Sequence, residues 1–251
     1  MKKVLITGGT SGIGYELARQ FAREGYALCI VSCNEQRLSK AKRRLEREFA
    51  TTVFPFFMDL SQVDGATRLY DQIQQEGHHI QVLVNAAGVG YIGEHANMDL
   101  SVETGMIQLN VQSLTTLTRL CVQDMMREGG GSVLNISSIG AFFPGTFCAS
   151  YYASKSYVYQ FSRALEAEVR KHGILISVAC PGTTKTGFFE RAGGIAPTKG
   201  MSAEQTAQII YRQFQRGRKV IIPGFWNRCS RWLPPTLKQS AVAAMNQKRM
   251  R

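Results

Sequence analysis

Short apolar segments rich in β-branched residues alternate along the chain with longer segments whose apolar positions recur every three or four residues. In the first long segment, Ile13, Leu17 and Phe21 fall on one face of a helix. The short segments predict seven strands, at 4–7, 27–31, 53–57, 80–84, 132–137, 174–179 and 220–222. The longer segments predict six helices, at 13–24, 35–49, 64–76, 101–127, 151–172 and 203–216.

The alternation of apolar strands with amphipathic helices predicts a parallel sheet covered by helices on both faces, a doubly wound α/β fold. The chain has 251 residues, 44% of them hydrophobic, and this length suits one domain with a large core. The glycine-rich segment 187–200 is typical of a mobile loop and not of a domain boundary. We predict one domain over residues 1–224 and a C-terminal extension over 225–251.

The net charge of +12 is concentrated near the end of the chain. No acidic residue follows Glu204, whereas ten lysines and arginines do, and residues 1–204 carry 20 basic against 18 acidic side chains. Positive charges in 225–251 are interspersed with Phe225, Trp226, Trp232 and Leu233. We expect this extension to pack on the sheet or on a sister subunit. Weak peripheral contact with an anionic membrane is the alternative, and nucleic acid is not expected as a partner.

The sequence favours a cytoplasmic compartment. No apolar run approaches the roughly 18 residues of a membrane-spanning helix, and the start MKKVLITGG predicts a first strand instead of a signal peptide. The six cysteines show no CxxC or other metal-ligand spacing, so we expect free thiols and no metal site. The alternative is a cytoplasmic protein that associates peripherally with a membrane through the extension.

The first predicted strand runs directly into the sequence TGGTSGIG at 7–14. Glycines at 8, 12 and 14 allow a sharp turn and a close approach of the backbone to a pyrophosphate at the start of the next helix. The spacing is TGxxxGxG and differs from the GxGxxG of the common dinucleotide fingerprint. A purely structural turn is the alternative explanation.

Further motifs follow in a fixed order: NAAG at 85–88, Asn110, SS at 137–138, YxxxK at 151–155 and PG at 181–182. Together with the glycine turn, they resemble the classical short-chain dehydrogenase/reductases, and the resemblance covers residues 1–224. It implies a single-domain, Rossmann-like sheet of about seven strands with a substrate loop at 183–200. It also implies a homodimer or homotetramer formed through helices such as 101–127 and 151–172.

The resemblance implies a catalytic tetrad at Asn110, Ser138, Tyr151 and Lys155. Ser137 is a rival for the serine, but the family's spacing to the tyrosine selects Ser138. Helical spacing places Tyr151, and not Tyr152, on the face of Lys155. We therefore predict that Tyr151 is the acid/base, with its pKa lowered by the lysine, and that Tyr152 has a packing role.

The resemblance also implies a set of cofactor contacts. Asp59 is equally well explained as a helix N-cap. The predicted contacts are Gly8, Thr10, Ser11, Gly12, Ile13, Gly14, Ser32, Cys33, Arg37, Asp59, Leu60, Asn85, Ala86, Gly88, Tyr151, Lys155, Pro181, Gly182, Thr184 and Thr186.

The choice of cofactor depends on the end of the second strand. Enzymes that use NAD usually carry an acid there for the ribose 2′-hydroxyl, and this chain has Ser32 instead. The missing carboxylate favours NADP(H), with NAD(H) still open. Cys33 stands where many NADP enzymes have an arginine, so Arg37 could serve the 2′-phosphate, or it could be a solvated helix charge.

The aromatic residues near the predicted site favour an apolar substrate, although each could instead belong to the core. They are Phe142, Phe143, Phe147, Phe188 and Phe189. We predict an oxidoreductase that moves a hydride between NADP(H) and a hydrophobic ketone or secondary alcohol. The alternatives are a non-catalytic nucleotide-binding module acting through its basic tail, and the same fold with epimerase or dehydratase chemistry.

Overall fold

The computed structural model describes residues 1–230 and 235–250. Seven parallel strands form the main sheet, in the order β3-β2-β1-β4-β5-β6-β9. These strands are β1 Lys3–Thr7, β2 Ala27–Ser32, β3 Val53–Phe57, β4 Val82–Asn85, β5 Gly131–Ile136, β6 Ile174–Ala179 and β9 Val220–Ile221. A separate pair consists of β7 Thr184–Lys185 and β8 Met201–Ser202.

Helices cover both faces of the sheet. The α-helices of the described residues are α1 Gly12–Arg23, α2 Glu35–Glu48, α3 Gly65–Gln75, α4 Leu100–Ile107, α5 Leu114–Arg127, α6 Ala149–Val169, α7 Phe188–Arg191, α8 Ala203–Gln215, α9 Phe225–Ser230 and α10 Pro235–Arg249. Among the described residues, no helix is long and apolar enough to cross a bilayer.

Alternate residues of each strand enter different cores, as expected for a sheet buried on both sides. Val4 and Ile6 of β1 pack with α1, α2 and α8, whereas Leu5 packs with α3 and α5. The predicted doubly wound fold is therefore confirmed. The strand order reverses between β1 and β4, where Thr7 lies opposite Asn85. A crevice at the carboxyl ends of such strands is where this fold binds ligands.

The helix predicted over 101–127 is interrupted. The π-helical segment Gln108–Ser113 separates α4 from α5. Its Asn110 side chain accepts a hydrogen bond from Val89 N at 3.1 Å and donates to Val89 O at 2.9 Å. The amide also donates to Ser154 Oγ at 3.1 Å. The irregular turn thus fastens the loop after β4 to α6, and such π segments often mark functional sites.

The C-terminal extension divides into two different parts. In α9, Phe225 and Trp226 are 63% and 81% exposed. In α10, Val242 and Asn246 are buried, because this helix packs back onto the loop before α6. Trp232 and Leu233 lie outside the described residues.

Candidate active site

A cavity of about 270 Å³ opens at the carboxyl end of the sheet. Its wall is formed by the glycine turn, the segments that follow β4, β5 and β6, the face of α6, the segment around α7, and α10. The crevice predicted from the strand order therefore exists, and the extension contributes to it.

The glycine turn requires residues without side chains. Gly8 and Gly12 have φ values of +68° and +55°. A Cβ on Gly8 would lie 2.9 Å from Ala87 Cα, and one on Gly14 would lie 2.4 Å from Gly8 O. Thr7 Oγ1 accepts hydrogen bonds from Ala86 N and Ala87 N, both at 3.1 Å. The turn is thereby joined to the NAAG segment, and the N-terminus of α1 is left open to an anionic group.

Tyr151 and Lys155 lie one turn apart on α6, as their spacing predicts. The Lys155 Nζ atom is 5.8 Å from the centroid of the Tyr151 ring and donates to Ile136 O at 3.1 Å. Burial lowers the pKa of Lys155 to about 8. Burial also raises the pKa of Tyr151 above its ordinary value, and a hydrogen bond with Ser138 opposes that rise only in part. The predicted lowering of the Tyr151 pKa by Lys155 is therefore wrong for the cofactor-free protein, because burial dominates, and the phenol is protonated at neutral pH.

The two serines after β5 have different partners. Ser137 Oγ donates its hydroxyl proton to the backbone carbonyl of Lys155 at 2.7 Å, so this proton is not available to another partner. Ser138 Oγ accepts from Gly140 N at 3.1 Å and also hydrogen-bonds with Tyr151. Only Ser138 therefore presents its hydroxyl to the phenol.

Asn110 lies behind the cavity wall. A Cβ on Gly88 would be 3.2 Å from Asn110 Oδ1 and 3.3 Å from Lys155 Nζ. Since the side chain of Asn110 is already bonded to Val89 and Ser154, it positions the backbone around Lys155 and does not line the cavity.

Most predicted cofactor contacts share the cavity wall. Among them are Gly8, Ser11, Gly12, Ile13, Gly14, Ala86, Gly88, Tyr151, Lys155, Pro181, Gly182, Thr184 and Thr186. The others lie outside that wall, namely Thr10, Ser32, Cys33, Arg37, Asp59, Leu60 and Asn85.

Several of these outer residues have specific partners. Thr10 Oγ1 donates to Ser32 Oγ at 3.3 Å, which ties the glycine turn to the end of β2. Asn85 turns into the core, where its amide donates to Asn135 Oδ1 at 2.8 Å. Asp59 accepts from the backbone and hydroxyl of Ser61, and these bonds hold the pKa of Asp59 below its usual value although burial acts to raise it. Asp64, and not Asp59, is the N-cap of α3.

Aromatic side chains cover the other end of the cavity. Phe143, Phe188 and Phe189 line it, as predicted. Phe142 instead packs against Tyr159, with ring centroids 4.9 Å apart. Phe147 does not line the cavity and has a φ of +64°.

Tyr152 does more than the predicted packing, because it lines the cavity and hydrogen-bonds with Asn246 of α10. Burial raises the pKa of Tyr152 to about 12. Asn246 also donates to Thr146 O at 2.9 Å, so α10 is fastened beside the tyrosine pair.

Arg191 and four residues of α10 line the cavity although they were not predicted from the sequence. The α10 residues are Val242, Met245, Asn246 and Arg249. Their helical spacing of three, four and seven residues was a usable signal, since it places all four on one face. Arg191 lies at the rim, where desolvation and the nearby charge of Arg37 lower its pKa.

Comparison with known proteins matches residues 2–193 to the family model of the short chain dehydrogenases. A very-long-chain 3-oxoacyl-CoA reductase of Danio rerio is 30% identical over 72% of this chain and 58% of its own length. A sulfoacetaldehyde reductase of Chromohalobacter salexigens is 28% identical over 83% of this chain and 86% of its own. The chain spans about three fifths of the length of the first curated relatives.

Solved structures agree over nearly the whole chain. A short-chain dehydrogenase of Sphingobium yanoikuyae in complex with NADPH superposes with a TM-score of 0.85, at 27% identity, over 99% of this chain and 97% of its own. A bulky-bulky ketone specific alcohol dehydrogenase of Comamonas testosteroni gives a TM-score of 0.80, at 27% identity, over 99% and 95%. The family model covers the glycine turn, most of the sheet and the helix that carries Tyr151 and Lys155. The chain is therefore a member of the short-chain dehydrogenase family.

Proposed function

We propose that this protein transfers a hydride between NADP(H) and a hydrophobic ketone or secondary alcohol. The observation that carries the proposal is the Tyr151 phenol, hydrogen-bonded with Ser138 in a cavity that also includes the glycine turn. An acid/base and a cradle for a dinucleotide share one crevice, which is the arrangement that carbonyl reduction requires.

The residues divide the proton chemistry between them. Ser138 holds the carbonyl oxygen of the substrate next to Tyr151. The phenol, kept protonated by its raised pKa, donates its proton to that oxygen during reduction. Bound at the glycine turn of Gly8, Gly12 and Gly14, NADPH would supply the hydride. The Lys155 ammonium then stabilises the phenolate until a proton returns through the neighbourhood of Asn110.

NADP(H) is the preferred cofactor in this proposal, with NAD(H) as a weaker one. No carboxylate stands at the end of β2, where Ser32 instead accepts a hydrogen bond from Thr10. Arg37 and Arg191 lie close enough for the charge of one to affect the other, and a 2′-phosphate between them would relieve this repulsion. The Sphingobium yanoikuyae relative is in complex with NADPH.

The substrate in this proposal has an apolar body. Phe143, Phe188 and Phe189 surround the entrance to Tyr151, and the Tyr151 and Phe188 ring centroids are 5.2 Å apart. The Comamonas testosteroni relative is described as specific for bulky-bulky ketones. The protein would act as a homo-oligomer in the cytoplasm.

A ketone panel tests the proposal. Propiophenone, benzophenone, 4-phenyl-2-butanone and 2-decanone are each supplied with NADPH and with NADH, and cofactor oxidation is followed by absorbance. We expect turnover above the blank without ketone, and faster turnover with NADPH. If NADPH binds tightly but is oxidised with none of the four ketones, the result would favour a non-catalytic nucleotide-binding module instead.

A further inference from the structure

The charges that line the cavity are all of one sign. Lys155, Arg191 and Arg249 are its charged lining residues, and no aspartate or glutamate lines it in the part of the chain that is described. A partly buried cation without a counter-charge is costly unless a ligand supplies one. Lys155 is buried and Arg249 is half-buried, so these two need an anionic partner or another explanation, whereas Arg191 is exposed and has the charge of Glu190 nearby.

Two of these cations belong to the cofactor end. Lys155 lies beside Tyr151 and donates to Ile136 O. Arg191 follows the segment of Thr186, whose Cγ2 would be 3.2 Å from a Cβ on Gly12 in the glycine turn. Arg191 is also near Arg37. The phosphates of a dinucleotide would account for Arg191.

Arg249 lies at the other end, on α10. Its Cζ is 4.3 Å from the centroid of the Phe189 ring, and its backbone carbonyl accepts from Ile195 N at 3.2 Å. Among residues 1–230 and 235–250, its guanidinium forms no ion pair with a carboxylate. Stacking on Phe189 satisfies one face of the guanidinium, and its in-plane N–H donors form no hydrogen bond with a described residue.

An aromatic wall connects this cation to the phenol. Successive ring centroids are separated by 5.2 Å from Tyr151 to Phe188 and by 5.7 Å from Phe188 to Phe189. Arg249 follows directly after Phe189. A substrate whose carbonyl lies at Tyr151 would extend its apolar body along these rings and reach Arg249 with its far end.

We propose that Arg249 binds a carboxylate at the far end of the substrate, so that the substrate class is an oxo acid with an apolar body. This assignment rests on the proposed function for the position of the carbonyl. Planar guanidinium groups bind carboxylates through two parallel hydrogen bonds, and the apolar surroundings strengthen such a pair.

Binding of a ligand without a ketone group tests the anion site separately from turnover. Titration calorimetry compares 6-phenylhexanoate with 6-phenylhexanamide on the NADPH-saturated protein. We expect the carboxylate to bind about tenfold more tightly, which is about 1.4 kcal/mol. Arg249→Gln should abolish this preference, and Arg249→Lys should keep part of it. Lys248→Gln, which removes an exposed charge from the same helix, should leave the preference unchanged.

Equal affinity for the two ligands, no binding of the carboxylate, or a preference that survives in Arg249→Gln would overturn the proposal. Circular dichroism of each variant checks that the overall helix content is retained, and a retained preference in Arg249→Lys excludes loss by unfolding.

A turnover arm separates this proposal from the proposed function. It compares 7-oxooctanoate with 7-oxooctanamide, and we expect Arg249→Gln to raise KM for the acid alone, with kcat nearly unchanged. If the ketone groups of 7-oxooctanamide and 7-oxooctanoate are reduced equally well, this would contradict the anion site only. A binding preference for 6-phenylhexanoate without reduction of any ketone would contradict the proposed function only.

Discussion

The two adjacent tyrosines of α6 differ in the partners of their hydroxyl groups. Tyr151 hydrogen-bonds with Ser138, whereas Tyr152 hydrogen-bonds with Asn246 of α10. Only Tyr151 therefore has its hydroxyl beside that of Ser138. The two residues have the same chemistry and neighbouring positions, so each serves as the control for the other.

Tyr151→Phe should lower kcat/KM for a panel ketone by about 100- to 10,000-fold, since it removes the proposed general acid. Tyr152→Phe should retain most of kcat and change KM by only a few fold, because it loses the bond to Asn246 alone. Steady-state kinetics measure both, and NADPH titration should show near-native affinity in each variant. Equal losses in the two variants would refute the assignment of the acid.

Ser32→Asp should weaken NADPH binding by about tenfold, or about 1.4 kcal/mol, because a carboxylate there repels a 2′-phosphate. NADH binding should stay the same or improve. Equilibrium titration with each cofactor gives the two Kd values. The matched control for added charge is Ser39→Asp, at an exposed position of α2. Tighter binding of NADH than NADPH to the unmodified protein would contradict the predicted preference.

At the scale of elements, the strands, the glycine turn and α6 were predictable because their signals are local. One turn of helix is enough to bring Tyr151 and Lys155 together, and a short apolar run is enough to indicate a strand of a buried sheet. The spacing in α10 indicates a helix face, but the place where that face packs was not predictable, since Asn246 contacts Thr146 across 100 residues of chain. The π-helical break at Asn110 was missed as well, because the apolar pattern of 101–127 continues through it.

The position of α10 changes the expectation for the basic tail. Of its described positive residues, Lys238 is buried over the Phe143 ring and Arg249 lines the cavity, which leaves Arg228 and Lys248 exposed. These two exposed charges supply about 2 kcal/mol of attraction to an anionic bilayer, and Arg231 and Arg251 lie outside the described residues. The packed interpretation of the extension is therefore favoured over membrane docking.

We predict no measurable cosedimentation with anionic vesicles at physiological salt. The apolar pair Phe225 and Trp226 on α9 is the remaining candidate for such contact. A double variant with serine at both positions is the control, because deletion of the whole tail would also remove α10 from the cavity. Binding by the native protein that disappears in the double variant would show that α9 docks on membranes.

For the whole molecule, Lys155 links stability to pH. Since burial lowers the pKa of Lys155 to about 8, the unfolded chain binds more protons than the folded protein above that pH. The free energy of unfolding should therefore rise, relative to Lys155→Met, by about 1 kcal/mol from pH 7 to pH 9. Urea unfolding of the cofactor-free proteins at the two pH values measures the difference. A constant or opposite difference would show that the lysine is charged without penalty.

Transfer of deuterium from the cofactor to the carbonyl carbon tests the proposed reaction most directly. Protein in excess is mixed with the four panel ketones and NADPH deuterated at both C4 positions, and the products are analysed by mass spectrometry. We expect an alcohol with one deuterium on the carbinol carbon, and none above the blank with Tyr151→Phe. Alcohol without deuterium, or bound NADPH that stays unoxidised with every ketone, would contradict hydride transfer at this site.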